Sequence, residues 1–444
     1  MATIRPIFSV ANETVRAAFR NRFVIVLLVL LAIVFIALPR AVGSDTSLEG
    51  IRRLALTATL GITAIILSAV TLWTGCSAIA SEKEERTWSA LSVTSASPFA
   101  LWTGKWLGLV ALDAVFLVLA LVGVCLQLRL RGVAVDRLQP YERIAPTEQS
   151  LRENAARYYA FAKEKGALPA DVQRTQEEWV DSIYQDLVFS PLSLSAGQSF
   201  SWDFPLFTTS IPGAEISLKL VSPFGAAAEI AGTLSASIPG HEPVVREIAP
   251  NDDHDIRLSL PVEWFGGDAS FLHVEFHNTG AEEAPAALFH PSEDAVLYLP
   301  CGTFFGNLVR IGLVNFSLLA TMAAIGLLCG ALFSRPVAIF TATGLVILGL
   351  ISHSNLNDEG IGCCDDPIAA AHPQHTYAMR ARRVLDGIAC LTAPVAEAAP
   401  LDRGGDGLRI SPRLTLFSLV QNGLVFPLLL GLASASILRR RDDA

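Results

Sequence analysis

Six apolar stretches divide this chain, near Phe23–Leu38, Leu54–Ala80, Trp106–Leu128, Leu308–Phe333, Val337–Ile351 and Leu414–Leu438. A hydrocarbon core about 30 Å thick is crossed by about 20 mostly apolar residues in a helix, and each stretch meets or approaches that length. The expected fold class is therefore a polytopic α-helical membrane protein with six transmembrane helices. Composition agrees: 52% apolar and 17% charged residues over 444 positions, with a mean hydropathy of +0.46, is too apolar for an ordinary soluble protein of this size.

The net charge of −9 argues against a nucleic-acid partner, because neutralising phosphates needs clustered Lys and Arg. The distribution of charge orients the chain. Arg5, Arg16, Arg20 and Arg22 precede the first stretch with Glu13 as the one acid, and Arg439, Arg440 and Arg441 follow the last. Both termini read as cytoplasmic by the positive-inside rule, in a multi-pass protein of the plasma (inner) membrane. The connections then alternate: Arg40–Arg53 outside, Ser81–Lys105 inside, Arg129–Gly302 outside, Ser334–Arg335 inside, and Ser352–Arg413 outside. A cleaved signal peptide is the competing reading of the first stretch. Against it, the leader is long, and Ile7, Val10, Val15, Ala18 and Phe19 among the arginines suggest an amphipathic helix on the inner surface.

Three regions follow: 1–128 with the interface helix and the first three spans, 129–302 as an extracytoplasmic domain, and 303–444 with the last three spans and a second outer loop at 352–413. The domain is expected to be α+β. Its part 147–188 reads as helical, with Leu151 to Lys165 carrying Tyr158, Tyr159 and Phe161, and with Asp171 capping a helix that aligns Val172, Trp179, Ile183 and Leu187. Its part 198–300 switches to period two at Ile216–Leu220, Ile256–Leu260, Leu272–Phe276 and Val296–Leu299, broken by Pro212-Gly213, Pro239-Gly240, Gly266-Gly267 and Thr279-Gly280. Such spacing suggests an antiparallel β-sandwich with membrane lipids around the helices that carry it.

Between the second and third spans stands Ser81-Glu82-Lys83-Glu84-Glu85-Arg86-Thr87-Trp88, with Leu91 and Val93 next and Thr94 to Pro98 ending the element. A soluble partner cannot grip surface buried in lipid. It needs a protruding element with charges for register and apolar residues for anchoring, and 81–98 offers both. At this point the chain resembles the permease subunits of ABC-2 type ABC transporters, which commonly place E-[RK]-E-x-G-T, a Leu-rich turn and a Thr/Ser-Pro step there. Here Glu82 to Thr87 matches except that Arg86 replaces the glycine. The resemblance implies a coupling helix in which Glu82, Glu84, Glu85, Arg86, Thr87, Trp88 and Leu91 dock on an ABC ATP-binding subunit. It also implies a second permease subunit, identical or not, around a shared path. The specific motif covers about twenty residues, although the resemblance extends to the six-span topology. By charge alone, an ordinary solvated loop is the alternative.

No Gly-rich turn closes on Lys and then Ser or Thr, so no nucleotide site is expected on this chain: ATP and Mg belong to the partner subunit, and the chain itself reads as no enzyme. Leu194-Ser195-Ala196-Gly197-Gln198 mimics an ABC ATPase signature by coincidence, since it falls on the outer side without a Walker motif. Within the spans, Asp113 reads either as a pathway residue or as a structural hydrogen-bond acceptor for the second span, where Thr59, Thr63, Ser68, Thr71 and Thr74 recur. Arg310 reads as snorkelling to headgroups. Gly326 and Gly330 form a small-x-x-x-small pair for close helix packing, between two protomers or within one. Cys76, Cys125 and Cys329 read as small apolar fillers.

Cys363, Cys364, His372 and His375 carry donors suited to a metal, with disulfides to Cys390 or Cys301, or free thiols, as the competing readings. Asp252-Asp253-His254-Asp255 reads as a solvated turn in preference to a metal site. Two further functions stay open from sequence. One is a membrane-anchored scaffold or sensor whose outer domain binds a partner without transport. The other is a metal-dependent membrane enzyme built on the Cys363 to His375 cluster.

Overall fold

The computed structural model describes residues 4–20, 22–41, 48–85, 97–134, 138–166, 174–206, 213–221, 230–248, 255–265, 271–280, 286–358 and 400–442. They divide into two compact units, Met1–Pro140 with Gly302–Ala444, and Tyr141–Cys301.

The first unit is helical. In chain order it contains α1 (Ile4–Arg20), α2 (Arg22–Ala41), α3 (Leu48–Arg53), a π turn at Leu54–Thr59, α4 (Leu60–Glu84) and α5 (Pro98–Leu130). After α6 (Glu148–Glu164) and α7 (Gln176–Phe189) of the second unit come α8 (Phe304–Leu332), α9 (Arg335–Asp358), α10 (Pro400–Gly405) and α11 (Pro412–Val420). A π turn at Gln421–Val425 and α12 (Phe426–Asp442) complete it. Among the described residues, four helical segments are long and apolar enough to cross a membrane: Gly50–Glu84, Pro98–Leu130, Phe304–Leu332 and Pro412–Arg439. They cover the second, third, fourth and sixth expected stretches. The first stretch lies in α2, and the fifth in α9, which is apolar over the shorter run Arg335–Leu348.

Lipid tails are as apolar as leucine, so helices in a bilayer associate through close van der Waals contact and not through hydrophobic exclusion. The contact between α4 and α8 follows that rule. A methyl group at Gly330 would lie 2.5 Å from the Cys76 carbonyl oxygen, one at Gly326 2.7 Å from that of Leu72, and one at Gly75 3.0 Å from that of Ala323. Gly326 and Gly330 thus join two helices of one chain. A second pair does the same between α5 and α1: methyl groups at Gly104 and Gly108 would meet the Ile7 and Ala11 carbonyl oxygens at 2.9 and 2.8 Å. One face of the amphipathic α1 is therefore seated on α5, while Phe8 and Phe19 are exposed.

The second unit is an α+β domain. Its sheets are β1 (Tyr141–Ile144), β10 (Ala295–Pro300), β4 (Glu215–Lys219) and β7 (Asp255–Ser259), in that order, and β3 (Ser199–Pro205), β8 (Phe271–Asn278), β5 (Gly232–Ser237) and β6 (Val244–Ile248). A short ladder joins β2 (Leu192–Leu194) to β9 (Ala287–Phe289), and all pairings are antiparallel. Alternation sends Phe200, Trp202 and Phe204 of β3 and Leu272, Val274 and Phe276 of β8 to one face. They share a single core with Ile216 and Leu218 of β4 and Leu297 and Leu299 of β10. Two sheets with a common apolar interior are a sandwich.

All four expected strands are present. The helices are also where the pattern put them, but α7 is capped by Thr175, whose hydroxyl accepts from the Glu178 amide while the Glu178 carboxylate accepts from the Thr175 amide. Asp171, the expected cap, lies outside the described residues. The unit also begins later than the expected Arg129, since α5 runs to Leu130 and Val133 and Leu138 are buried with Phe304, Leu308 and Ile410 of the first unit.

Candidate functional site

The first unit has two chemically distinct ends. At one, Ile79 of α4, Leu101 of α5, Ala331 of α8 and Leu438 of α12 share a cluster against which Val10 of α1 packs. Here α4 closes with Glu82, Lys83 and Glu84 in its last turn and Glu85 at its C-cap. Glu82, Lys83 and Glu84 therefore continue the helix of the second span, and residues 86–96 of the expected coupling helix lie outside the described residues. Ser97 caps the start of α5 by accepting from the Ala100 amide at 3.2 Å.

Each of the three charges in that last turn has a partner within the unit. Glu82 Oε1 pairs with Lys105 Nζ at 2.5 Å, and Lys105, only 7% exposed, also donates to the Ala78 carbonyl at 3.0 Å. Lys83 Nζ donates to the carbonyls of Gly330, Ala331 and Phe333 at 3.1, 2.9 and 3.3 Å. Glu84 Oε1 accepts from the Arg335 amide at 3.0 Å. Of the expected docking residues, Glu82 and Glu84 thus bond inside the chain, Glu85 is exposed, and Arg86, Thr87, Trp88 and Leu91 lie outside the described residues.

Farther along the α4–α5 seam, Thr71 Oγ1 donates to Asp113 Oδ1 at 2.6 Å, which realises the structural hydrogen bond. Asp113 is 4% exposed, and its Oδ2 is buried with no partner among the described residues. A second polar locus lies between the fourth and sixth spans. Thr321 of α8 donates to the Asn422 carbonyl at 2.6 Å in the π turn, and neither polar atom of the buried Asn422 side chain has a partner among the described residues. Its sequence signal is the recurrence of Asn315, Ser317 and Thr321 in the fourth span and of Ser418 and Asn422 in the sixth. Unsatisfied polar atoms in apolar helical segments are costly, so Asp113 and Asn422 are candidate functional positions.

At the opposite end, Arg52, 6% exposed, donates to the Gly405 and Asp406 carbonyls at 3.2 and 3.0 Å. Gly407 holds φ +78° directly against the guanidinium, where no side chain fits. Asn307 donates to the Leu408 carbonyl at 2.9 Å and accepts from the Ile410 amide at 2.8 Å. The chain leading into the last span is therefore gripped by residues from the starts of the second and fourth. Arg310 reaches the Ile410 carbonyl at 3.5 Å as well as the surface.

Cys363, Cys364, Cys390, His372 and His375 lie outside the described residues, as do Asp252, Asp253 and His254. Cys301 is half-buried. Asp255 opens β7, where it accepts from the Ser217 hydroxyl and pairs with Arg257 at 3.2 Å. Among the described residues, no group of three or more His, Cys, Asp or Glu is arranged to hold a metal. Leu194 to Gln198 is the turn between β2 and β3, with Gly197 at φ +75° and Gln198 accepting from the Ser195 amide. Cys76 and Cys329 are buried fillers at the α4–α8 contact, and Cys125 is half-buried in α5. No protein-family model, curated protein or solved structure matches the chain.

Proposed function

We propose that this chain is the permease subunit of an ABC-2 type ABC transporter, working beside a second permease subunit. Hydrolysis of ATP with Mg on a separate ATP-binding subunit would drive a substrate through or out of the plasma (inner) membrane along six spans, α2 and α9 being the first and fifth. The observation that carries this reading is the clustering of features at one end of the first unit. The charged close of α4, the capped start of α5, the seated α1 and the Arg-rich end of α12 all gather there, as a cytoplasmic docking face requires. The opposite end, from which the chain leaves at Pro140 and to which it returns at Gly302, is the extracytoplasmic one in this reading.

The docking contacts fall to Glu85 and the residues up to Leu91, because Glu82 and Glu84 already have partners. Glu85→Lys together with Trp88→Ala should abolish copurification of the ATP-binding subunit and the hydrolysis that the permease stimulates in it, while thermal stability stays unchanged. Full copurification and full stimulation in that variant would remove the docking assignment.

A further inference from the structure

Resting on that reading, we propose that Lys83 and Glu84 form a joint that locks the turn between α8 and α9 to the end of α4, so that a displacement received beyond Glu85 moves the fourth and fifth helices together.

A helix leaves carbonyls without partners at its C-terminus and amides at its N-terminus. The turn Phe333-Ser334 joins one such end to the other. Most helices answer these groups with local residues, whereas here two adjacent residues of a remote helix do so. The ammonium of Lys83 has three donors, and all three meet carbonyls of the closing turn of α8. The carboxylate of Glu84 meets the amide of Arg335, the first residue of α9. Both signs complement the helix dipoles, cation on the C-terminus and anion on the N-terminus. Hydrogen bonds to charged groups are the stronger kind, so four of them from two adjacent side chains, spread over Gly330 to Arg335, resist separation.

The surroundings leave the joint little slack. Gly330, whose carbonyl Lys83 holds, is the residue that lies against the Cys76 backbone, so α4 and α8 are already in van der Waals contact two turns earlier on α4. Glu82 extends the grip to α5 through Lys105. Three consecutive residues thus tie the last turn of α4 to three other helices, and the pairings are heterogeneous in kind: an ion pair, a C-cap and an N-cap. A solvated loop would leave these charges in water, and a pure docking motif would leave them pointing at the partner.

The test uses the full chain in nanodiscs, its seven native cysteines replaced by alanine, with spin labels at Glu85→Cys and Val337→Cys, both exposed positions. The parent should show one narrow distance distribution. Lys83→Met with Glu84→Ala should broaden it about twofold and raise hydrogen exchange at the Arg335 amide roughly tenfold or more, the scale of losing a charged hydrogen bond. Lys83→Arg, which keeps the cation, should stay close to the parent and so separates the joint from general loss of fold. Unchanged width and exchange in the double variant overturn the joint. In the unlabelled chain with Glu85 intact, and in the presence of the copurifying ATP-binding subunit, the double variant should keep binding and lose at least tenfold of the stimulated hydrolysis. Undiminished stimulation with a broadened distance overturns the transmission role. If the parent recruits and stimulates no ATPase, the transporter reading falls, and the distances alone decide whether the joint exists.

Discussion

Where α4 meets α8, the closest contacts are made by single hydrogens: Gly75, Gly326 and Gly330 bring backbone against backbone. Where β3 meets β8, the facing side chains are large rings and branched chains, with Phe200 opposite Phe276 and Trp202 opposite Val274. The polar side chains differ in the same way. In the helical unit Arg52, Lys83, Trp106, Asn307 and Thr321 link elements by binding backbone carbonyls, whereas in the sheet unit backbone ladders link the strands and Asn154, Trp202 and Asn278 only add side-chain bonds to carbonyls. The difference follows from the solvent. Water expels apolar surface and rewards large interdigitated side chains. Lipid supplies no such force, so stability comes from close approach and from satisfying backbone polar groups internally.

That contrast can be broken most strongly from the sheet side. Trp202 is fully buried between Phe200 and Phe289, with ring centroids 4.8 and 5.4 Å away, and its Nε1 donates to the Pro291 carbonyl at 2.9 Å. Trp202→Ala should destabilise the sheet unit by about 3–5 kcal/mol. Limited proteolysis of the full chain should show cuts within 141–301 at lower temperature, with helical circular dichroism retained. On the helical side, Gly330→Val forces a side chain onto the Cys76 carbonyl and should cost about 1–3 kcal/mol. Gly344→Ala, where a methyl group meets nothing within 4 Å, should be neutral or slightly stabilising in the same thermal melts. Equal effects of the two glycine substitutions would contradict close packing as the organising force.

The smallest expected effect is one of pH. Burial raises the Tyr158 phenol above its usual range. The folded chain then holds that proton more tightly than the unfolded one, so its contribution to stability is intact below the unfolded value near 10 and declines as pH rises through the folded value. Tyr158→Phe should flatten the decline of the melting temperature above about pH 10. An identical alkaline slope in both proteins would place the phenol in water.

The sequence made the membrane helices legible because length and hydropathy suffice for them, and it revealed Gly326 and Gly330 because small residues four apart have one main use in lipid. Gly104 and Gly108 have the same spacing but flank Lys105 and Trp106, whose charge and size drew the reading toward a span boundary. Strands β4, β7, β8 and β10 followed from alternation. So would β3, whose Phe200, Trp202 and Phe204 alternate without a break, whereas β1, β2 and β9 have three or four residues each and no pattern to read. The fate of the charged cluster was not legible. Local sequence gives Glu82, Lys83 and Glu84 as solvent-facing charges, and only the fold brings Lys105, Gly330 and Arg335 to them. Arg52 is the parallel case at the other end: it reads as flanking positive charge, and it is buried against a turn more than three hundred residues away.

The account depends on the charged end of the helical unit facing the cytoplasm while the sandwich faces outward. Labelling of intact cells with a membrane-impermeant thiol reagent tests this with Glu85→Cys and Glu242→Cys, both exposed positions, each introduced alone into a chain whose seven native cysteines are replaced by alanine. The expected result is modification of Glu242→Cys in intact cells and of Glu85→Cys only after permeabilisation. Equal labelling of the two in intact cells would contradict it.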